Sequence, residues 1–298
     1  MNNQTVNLGA LRLGDGGKKH SQWRDVWRRL VRNPSAMVCL IIVVLLILMA
    51  VFAEQIAPYD YAQQDPEHQF EYPSKDHLLG TDNYGRDLLS RIIYGGRISL
   101  LVAVLAVAMS LVVGGLLGAT AGYFGGTYDS VVMRIMDILM GIPSFLMAVC
   151  VSAALGGGVV TTAIAIAITG VPSYARLMRA SVLTIKGNEF IEAATALGNS
   201  DMRIILKHIL PNVLSPIIVQ STLNIGTFIM AISGLSFVGL GVQPPTPEWG
   251  SIMSAGRSFF LDFWPIVTFP GIAIIITLFA FNILGDGLRD AMDPKLRK

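Results

Sequence analysis

Long uncharged stretches alternate along the chain with short charged ones. Residues 36–53 form an uncharged run of 18, with basic residues before it and Glu54 after it. A hydrocarbon core about 30 Å thick takes roughly 20 residues of helix, so this run predicts a first membrane span. It is too long for a signal-peptide core of roughly 7–15 residues, and Ala50-Val51-Phe52-Ala53 is no cleavage signal, so the span is expected to be retained. Residues 98–128 are also uncharged and predict a second span over 98–122. Residues 138–175 exceed one helix. Gly156-Gly157-Gly158 divides them into a third span beginning near Val131 and a fourth ending near Ala175. Residues 209–242 predict a fifth, loosened at its end by Gly234, Gly239, Gly241 and Pro244-Pro245, and residues 263–285 a sixth. Pro143 and Pro172 fall within the third and fourth spans. Each removes a backbone donor and is expected to bend its helix.

Composition agrees with this pattern. Of 298 residues, 53% are hydrophobic and only 14% charged, against about 25% charged in a soluble domain. That balance excludes an ordinary cytosolic enzyme, a disordered tail and a nucleic-acid binder with a basic face. The expected fold is all-α, a polytopic membrane protein of six helices. The net charge of +2 says little, but its distribution is informative. Sixteen basic residues fall in 1–35, 176–208 and 286–298, and five in 54–97 and 243–262. Cytoplasmic loops are enriched in Lys and Arg, so both termini are expected in the cytoplasm. The organisation follows: an N-terminal segment 1–35; a first helix and long external loop 36–97; a core 98–285 with a cytoplasmic loop at about 176–210; and a tail 286–298. Residues 1–20, rich in Gly and Asn, are expected to be disordered.

Catalytic patterns are missing. Cys39 and Cys150 sit in apolar runs and indicate neither a disulfide nor a metal site. His20, His68, His77 and His208 are scattered and form no HExxH. No serine lies in G-x-S-x-G, and Gly17-Lys18-Lys19 lacks the rest of a phosphate-binding loop. No catalytic residue, metal or bound cofactor is expected in this chain, so any ATP that drives it must be held by another. Arg134 and Asp137, three apart, are expected to neutralise each other. No other ionisable residue falls near mid-membrane, which argues against a proton- or ion-driven carrier; a channel would leave the cytoplasmic helices described next unexplained. Gly114, Gly118, Gly122 and Gly126, spaced by four, predict a face on which two helix backbones approach closely. The external loop holds eight acids against four basic residues. Asp82/Arg86 and Asp87/Arg91 have the i,i+4 spacing of helical ion pairs, which reads as a surface helix over the external mouth or as a partner-docking element.

The most informative segment is 189–212. Phe190, Ala194 and Leu197 fall at i, i+4 and i+7, an apolar stripe on a short helix. Gly198 supplies a stop, and Asn199 or Ser200 can cap a second helix. Two such helices are too short to be stable alone, and their stripe calls for a cleft in another protein or the lipid interface.

Glu192-Ala193-Ala194, then Gly198 after three residues, and later Leu210-Pro211 resemble the EAA loop of permease subunits of bacterial ABC importers. Leu79-Gly80-Thr81-Asp82, Gly85-Arg86-Asp87, Ser90-Arg91, the run from Gln243 to Gly250 and the run from Gly285 to Pro294 resemble the second permease chain of the peptide/nickel group, over roughly residues 22–298. The resemblance implies that Glu192, Ala193, Ala194, Leu197, Gly198, Leu210 and Pro211 couple the chain to a separate ATPase. It places Asp82, Arg86, Asp87, Pro245, Glu248 and Trp249 near an external gate, beneath a docked binding protein. It implies as partners a homologous permease, two ATP-binding subunits that use ATP and Mg, an extracytoplasmic peptide-binding protein and the lipid bilayer of a bacterial inner membrane. Members of this group import dipeptides, longer peptides, glutathione or chelated nickel. Physically, Pro244, Pro245 and Pro247 make a stiff turn, and Trp249 has the amphipathic character of an interfacial anchor.

Overall fold

The computed structural model describes residues 22–293; the segment 1–20 expected to be disordered and residues 294–298 of the tail lie outside them. A short helix α1 (Gln22–Val31) leads into α2 (Pro34–Val51), where Asn33 caps the new helix by accepting from the Ala36 amide and Pro34 occupies its first turn. Ala36, Cys39 and Val43 face the bundle, while Val38, Ile41, Leu45 and Leu48 point outward. That all-round apolar surface is what a lipid-facing helix requires. A single turn, α3 (Ala53–Ile56), follows.

The loop expected to be external then folds without a surface helix. It holds one 3-10 turn at Pro66–His68 and an isolated bridge between Thr81 and Asp87. Asp87 caps α4 (Leu88–Phe124), a helix of 37 residues, about 56 Å at 1.5 Å per residue. The second span therefore starts ten residues before the expected Ile98, because the Asp87 carboxylate accepts from the free Ser90 amide there.

The expected third span is broken. α5 (Gly126–Met140) and α6 (Ser144–Leu155) meet at 90° across Gly141, Ile142 and Pro143. Pro143 cannot donate and disfavours helix at Ile142, so it ends one helix and starts another where a bend was expected. α7 (Val159–Ile185) keeps Pro172 inside a continuous helix and runs ten residues past Ala175. After α8 (Glu189–Ala196) and α9 (Asp201–Arg203), the chain is π-helical over Ile204–Ile209, tightens to a 3-10 turn over Leu210–Val213 and enters α10 (Leu214–Phe237). A short helix α11 (Trp249–Gly256) precedes α12 (Pro265–Met292). α12 continues through residues 286–292, which were expected to belong to the tail. Among the described residues, five helices are long and apolar enough to cross a membrane, six spans if the bent pair counts as one.

The closest pairing is α4 with α7. A Cβ at Gly114 would lie 2.4 Å from the Val171 carbonyl oxygen, one at Gly118 2.1 Å from that of Ala175, and one at Gly122 3.0 Å from Val182 Cβ. Gly126 departs from this stripe: it lies past the end of α4 with φ +62° and nothing near its missing side chain. Asp137 also takes a partner other than the expected Arg134, binding Arg176 of α7 at 2.5 Å, and Asp129 binds Arg179 through both oxygens at 2.5 and 2.6 Å. These pairs fasten α5 to α7 because the bundle brings α7 closer to those carboxylates than the neighbouring turn of α5.

Candidate functional site

Two regions gather the residues that the sequence marks, one at each end of the bundle. At the first, α8 ends in a Schellman turn: the Gly198 amide donates to Thr195 O and the Asn199 amide to Ala194 O, with Gly198 at φ +74°. Asn199 Nδ2 also donates to Ala194 O, so Asn199 braces the end of α8 and does not cap α9. Ser200 stands at the cap position without a side-chain bond.

The apolar stripe divides between two faces. Ala194 turns inward beside Ile191, whereas Phe190 is exposed and Leu197 is 82% exposed. The helix is held by Ile191 and Ala194 together with Ile204, Ile205 and Ile209, which pack on Ala119, Met178 and Val182 at the ends of α4 and α7. Each such isoleucine contributes about 1.5–3 kcal/mol on burial, enough to order helices that could not persist alone. Glu192, Ala193 and Leu197 remain on the outer surface. Glu192 lines a hollow of about 600 Å³ with Tyr123, Phe124, Lys186, Thr195 and Asp201. Tyr123 Oη donates to Asp201 Oδ1 at 2.8 Å and Lys186 Nζ lies 5.7 Å from the Tyr123 ring centre.

Leu210 is half-buried and Pro211 exposed. Pro211 lacks the amide that a regular helix would supply. The backbone is irregular on both sides of it, and Asn212 Nδ2 donates to His208 O at 2.6 Å.

At the opposite end the marked charges point inward. Asp82 accepts from the amides of Tyr84 and Arg86 on Oδ1 and from Arg86 Nε on Oδ2 at 2.7 Å, and Arg91 Nε lies 3.4 Å from that same Oδ2. Arg91 therefore pairs with Asp82 and not with Asp87. Asp87 is occupied by the Ser90 amide and hydroxyl at 2.7 Å and by His77 Nδ1 at 3.0 Å. The expected helix of i,i+4 pairs is replaced by a compact loop wound on the start of α4, because capping an exposed helix end uses the same carboxylate.

Beside that loop lies α11. Trp249 is 0% exposed, which corrects its reading as an interfacial anchor. Its Nε1 donates to Ile92 O at 2.9 Å and its ring lies against Gly95 and Gly96, where added side chains would come within 3.1 and 2.9 Å. Glu248, also 0% exposed, accepts from Ser99 Oγ at 3.0 Å, Ser233 Oγ at 2.9 Å and the Ser251 amide at 3.0 Å. The Ser251 hydroxyl completes a capping box on α11. One carboxylate thus joins α4, α10 and α11. Pro245 is exposed in the turn before them. Ser99, Ser233, Gly95 and Gly96 were not anticipated from the sequence. The Gly95-Gly96 pair was the available signal, since adjacent glycines in a span leave room for a bulky neighbour.

Asp65 and His68 form an exposed pair at 2.9 Å on the same face. The hydrogen bond to Asp65, and then its charge, raise the His68 pKa above the ordinary histidine value, while the same bond lowers that of Asp65. Their attraction holds between the two midpoints. It is lost as pH rises through the raised His68 value or falls through the lowered Asp65 value. Asp65→Asn is expected to bring the His68 midpoint down in an NMR titration of the ring carbons; an unmoved midpoint would contradict this account.

This helical bundle is a fold already seen in a solved ABC transporter. It superposes on the membrane chain of an inward-facing MetNI methionine ABC transporter with a TM-score of 0.54, covering 68% of this chain and 96% of that one at 19% identity. Residues 112–298 match the family model for the binding-protein-dependent transport system inner membrane component, and residues 21–73 match the N-terminal TM domain of oligopeptide transport permease C. The chain belongs to the binding-protein-dependent transport system inner membrane component family. It is 45% identical over 93% of its length to the dipeptide transport system permease protein DppC of Alkalihalophilus pseudofirmus, covering 91% of that protein. It is 44% identical over 97% of its length to the glutathione transport system permease protein GsiD of Escherichia coli, covering 96% of that protein.

Proposed function

We propose that this chain is one permease half of an ABC importer that moves peptides of the dipeptide and oligopeptide class across a bacterial inner membrane, with both termini in the cytoplasm. A homologous permease completes the pathway, two separate subunits bind ATP and Mg, and an extracytoplasmic peptide-binding protein delivers cargo. The observation that carries the reading is the exposed Leu197 on a short helix whose other face is pinned to α4 and α7. An apolar residue so exposed on an anchored lever suits the groove of a moving partner. Closure of the ATPases would push α8 as a rigid body and shift the spans between two packings, as alternating access requires. The 44% identity to a glutathione permease favours glutathione, itself a small peptide, as a second cargo.

Ala193 and Leu197 point away from the fold, so changes there test coupling without disturbing it. In the full complex in proteoliposomes, Ala193→Trp and Leu197→Glu are each expected to reduce ATP-driven uptake at least about tenfold, a loss of roughly 1.4 kcal/mol of coupling. Membrane insertion and thermal stability should stay at wild-type level. Uptake equal to wild type in both variants would refute the docking surface. Mass spectrometry of ligand retained by the binding protein separates dipeptide from glutathione.

A further inference from the structure

The first described helix carries a surface that the transport reading leaves unused. α1 packs one face on the end of α12: Leu30 is buried there, close to Gly287, and Arg29 Nη1 donates to Asp293 O at 3.4 Å. The helix surface beside and beyond that face is organised in two adjacent stripes. Trp23, Trp27 and Val31 recur every four residues, the two tryptophans 56% and 54% exposed. Arg24 and Arg28 follow one position later, with Arg32 in the turn just past the helix, all three exposed. Residues four apart share a helix face, so both stripes run side by side for about 12 Å.

Among the described residues no carboxylate pairs with Arg24, Arg28 or Arg32, and Asp25 on the same helix bridges none of them. The three arginines, Trp27 and Val31 line a hollow of about 390 Å³. Only two residues separate α1 from the first membrane span, which holds this face at the level of the bilayer boundary. Tryptophan is suited to that boundary. Arginine stems lie along apolar surface while their heads reach phosphate.

We propose that the outer face of α1 is a binding surface for anionic phospholipid, with Trp23, Trp27 and Val31 set among the upper acyl chains and Arg24, Arg28 and Arg32 on the headgroup phosphates. Its occupant is lipid and not a soluble subunit because only two residues part it from a span whose residues Val38, Ile41 and Leu45 are exposed and apolar, and its charge is complementary to anionic headgroups. The leaflet concerned rests on the cytoplasmic placement of the N-terminus proposed above.

The test uses the full-length chain in its complex, in nanodiscs of phosphatidylcholine mixed equally with phosphatidylglycerol. With the tryptophans of the other subunits replaced by phenylalanine, a Trp264→Phe background leaves Trp23 and Trp27 as the exposed reporters, since Trp249 is buried. Brominated phosphatidylglycerol is expected to quench them more strongly than brominated phosphatidylcholine. Arg24→Gln/Arg28→Gln/Arg32→Gln should lower that preference on the order of 10- to 100-fold, and the matching triple Lys variant should keep most of it. Equal quenching by both lipids, a preference unchanged in the Gln variant, or tryptophans that neither lipid quenches would each overturn the proposal. A single cysteine at Gln22, in a chain with Cys39 and Cys150 replaced by serine, reports the leaflet by impermeant thiol labelling. Labelling from outside intact cells would refute the orientation while leaving the lipid preference standing on its own readout.

Discussion

Gly118→Leu is expected to prevent α4 and α7 from packing, with most of the chain lost from the folded membrane fraction. The first added atom would lie 2.1 Å from the Ala175 carbonyl oxygen and 2.8 Å from its carbon. These are backbone atoms, so no side-chain rotation relieves the overlap and the two helices must separate. Overpacking costs typically about 1–3 kcal/mol where side chains can yield, and this site should exceed that range. Gly115 is the internal control. Its nearest neighbours would be side-chain carbons of Leu111 and Met178 at 3.5 Å, an ordinary contact. Gly115→Ala should therefore be neutral or gain up to about 1 kcal/mol from helix propensity. Thermal unfolding of the detergent-purified chain, with expression yield, measures both. A Gly118→Leu protein as stable as Gly115→Ala would remove the close approach as an explanation for the glycine stripe.

Glu248→Ala is expected to loosen the layer that joins α4, α10 and α11. The change strands the Ser99 and Ser233 hydroxyls and the Ser251 amide in a buried place. Each orphaned donor costs about 1–3 kcal/mol, so the total should reach several kcal/mol and release α11 from its capping box. Glu248→Gln should behave differently. Its oxygen can still accept from the Ser251 amide, and the serine hydroxyls can turn to accept from the new amide group. Most of the stability should therefore return with Gln, even though the charge is gone. Unfolding temperature and uptake in the assembled importer should fall together in the Ala variant and recover in the Gln variant. Equal stability of the Ala variant and wild type would sink the claim that this carboxylate joins the three elements.

Much of the architecture could be read from residue order. Uncharged runs of adequate length marked the spans, since a bilayer admits few other structures, and Gly114, Gly118 and Gly122 were identifiable as a packing face from their spacing. The stop at Gly198 was equally legible, because a positive φ at the end of a helix favours glycine. The limits of the spans were less so. Asp87 begins α4 well before the charges cease, and α12 continues through Asp286, Arg289 and Asp290, because helix continuity follows hydrogen bonding and not hydropathy.

Pairing and burial lay beyond local pattern. Spacing offered Asp87/Arg91 and Arg134/Asp137, and folding chose Asp82–Arg91 and Arg176–Asp137. An i,i+4 relation says which groups can meet on a helix but not whether a nearer partner arrives from another element. Trp249 and Glu248 have side chains that suit an interface, yet the space beside Gly95 and Gly96 and the hydroxyls of Ser99 and Ser233 enclose them completely. Order along the chain was sufficient for the membrane class, for five or six candidate spans and for the short helix that stops at Gly198, because these depend on length, composition and local turns. Which face of that helix is anchored, and which acids are buried, depended on contacts between residues far apart in the chain, whose energies exist only once the helices are packed.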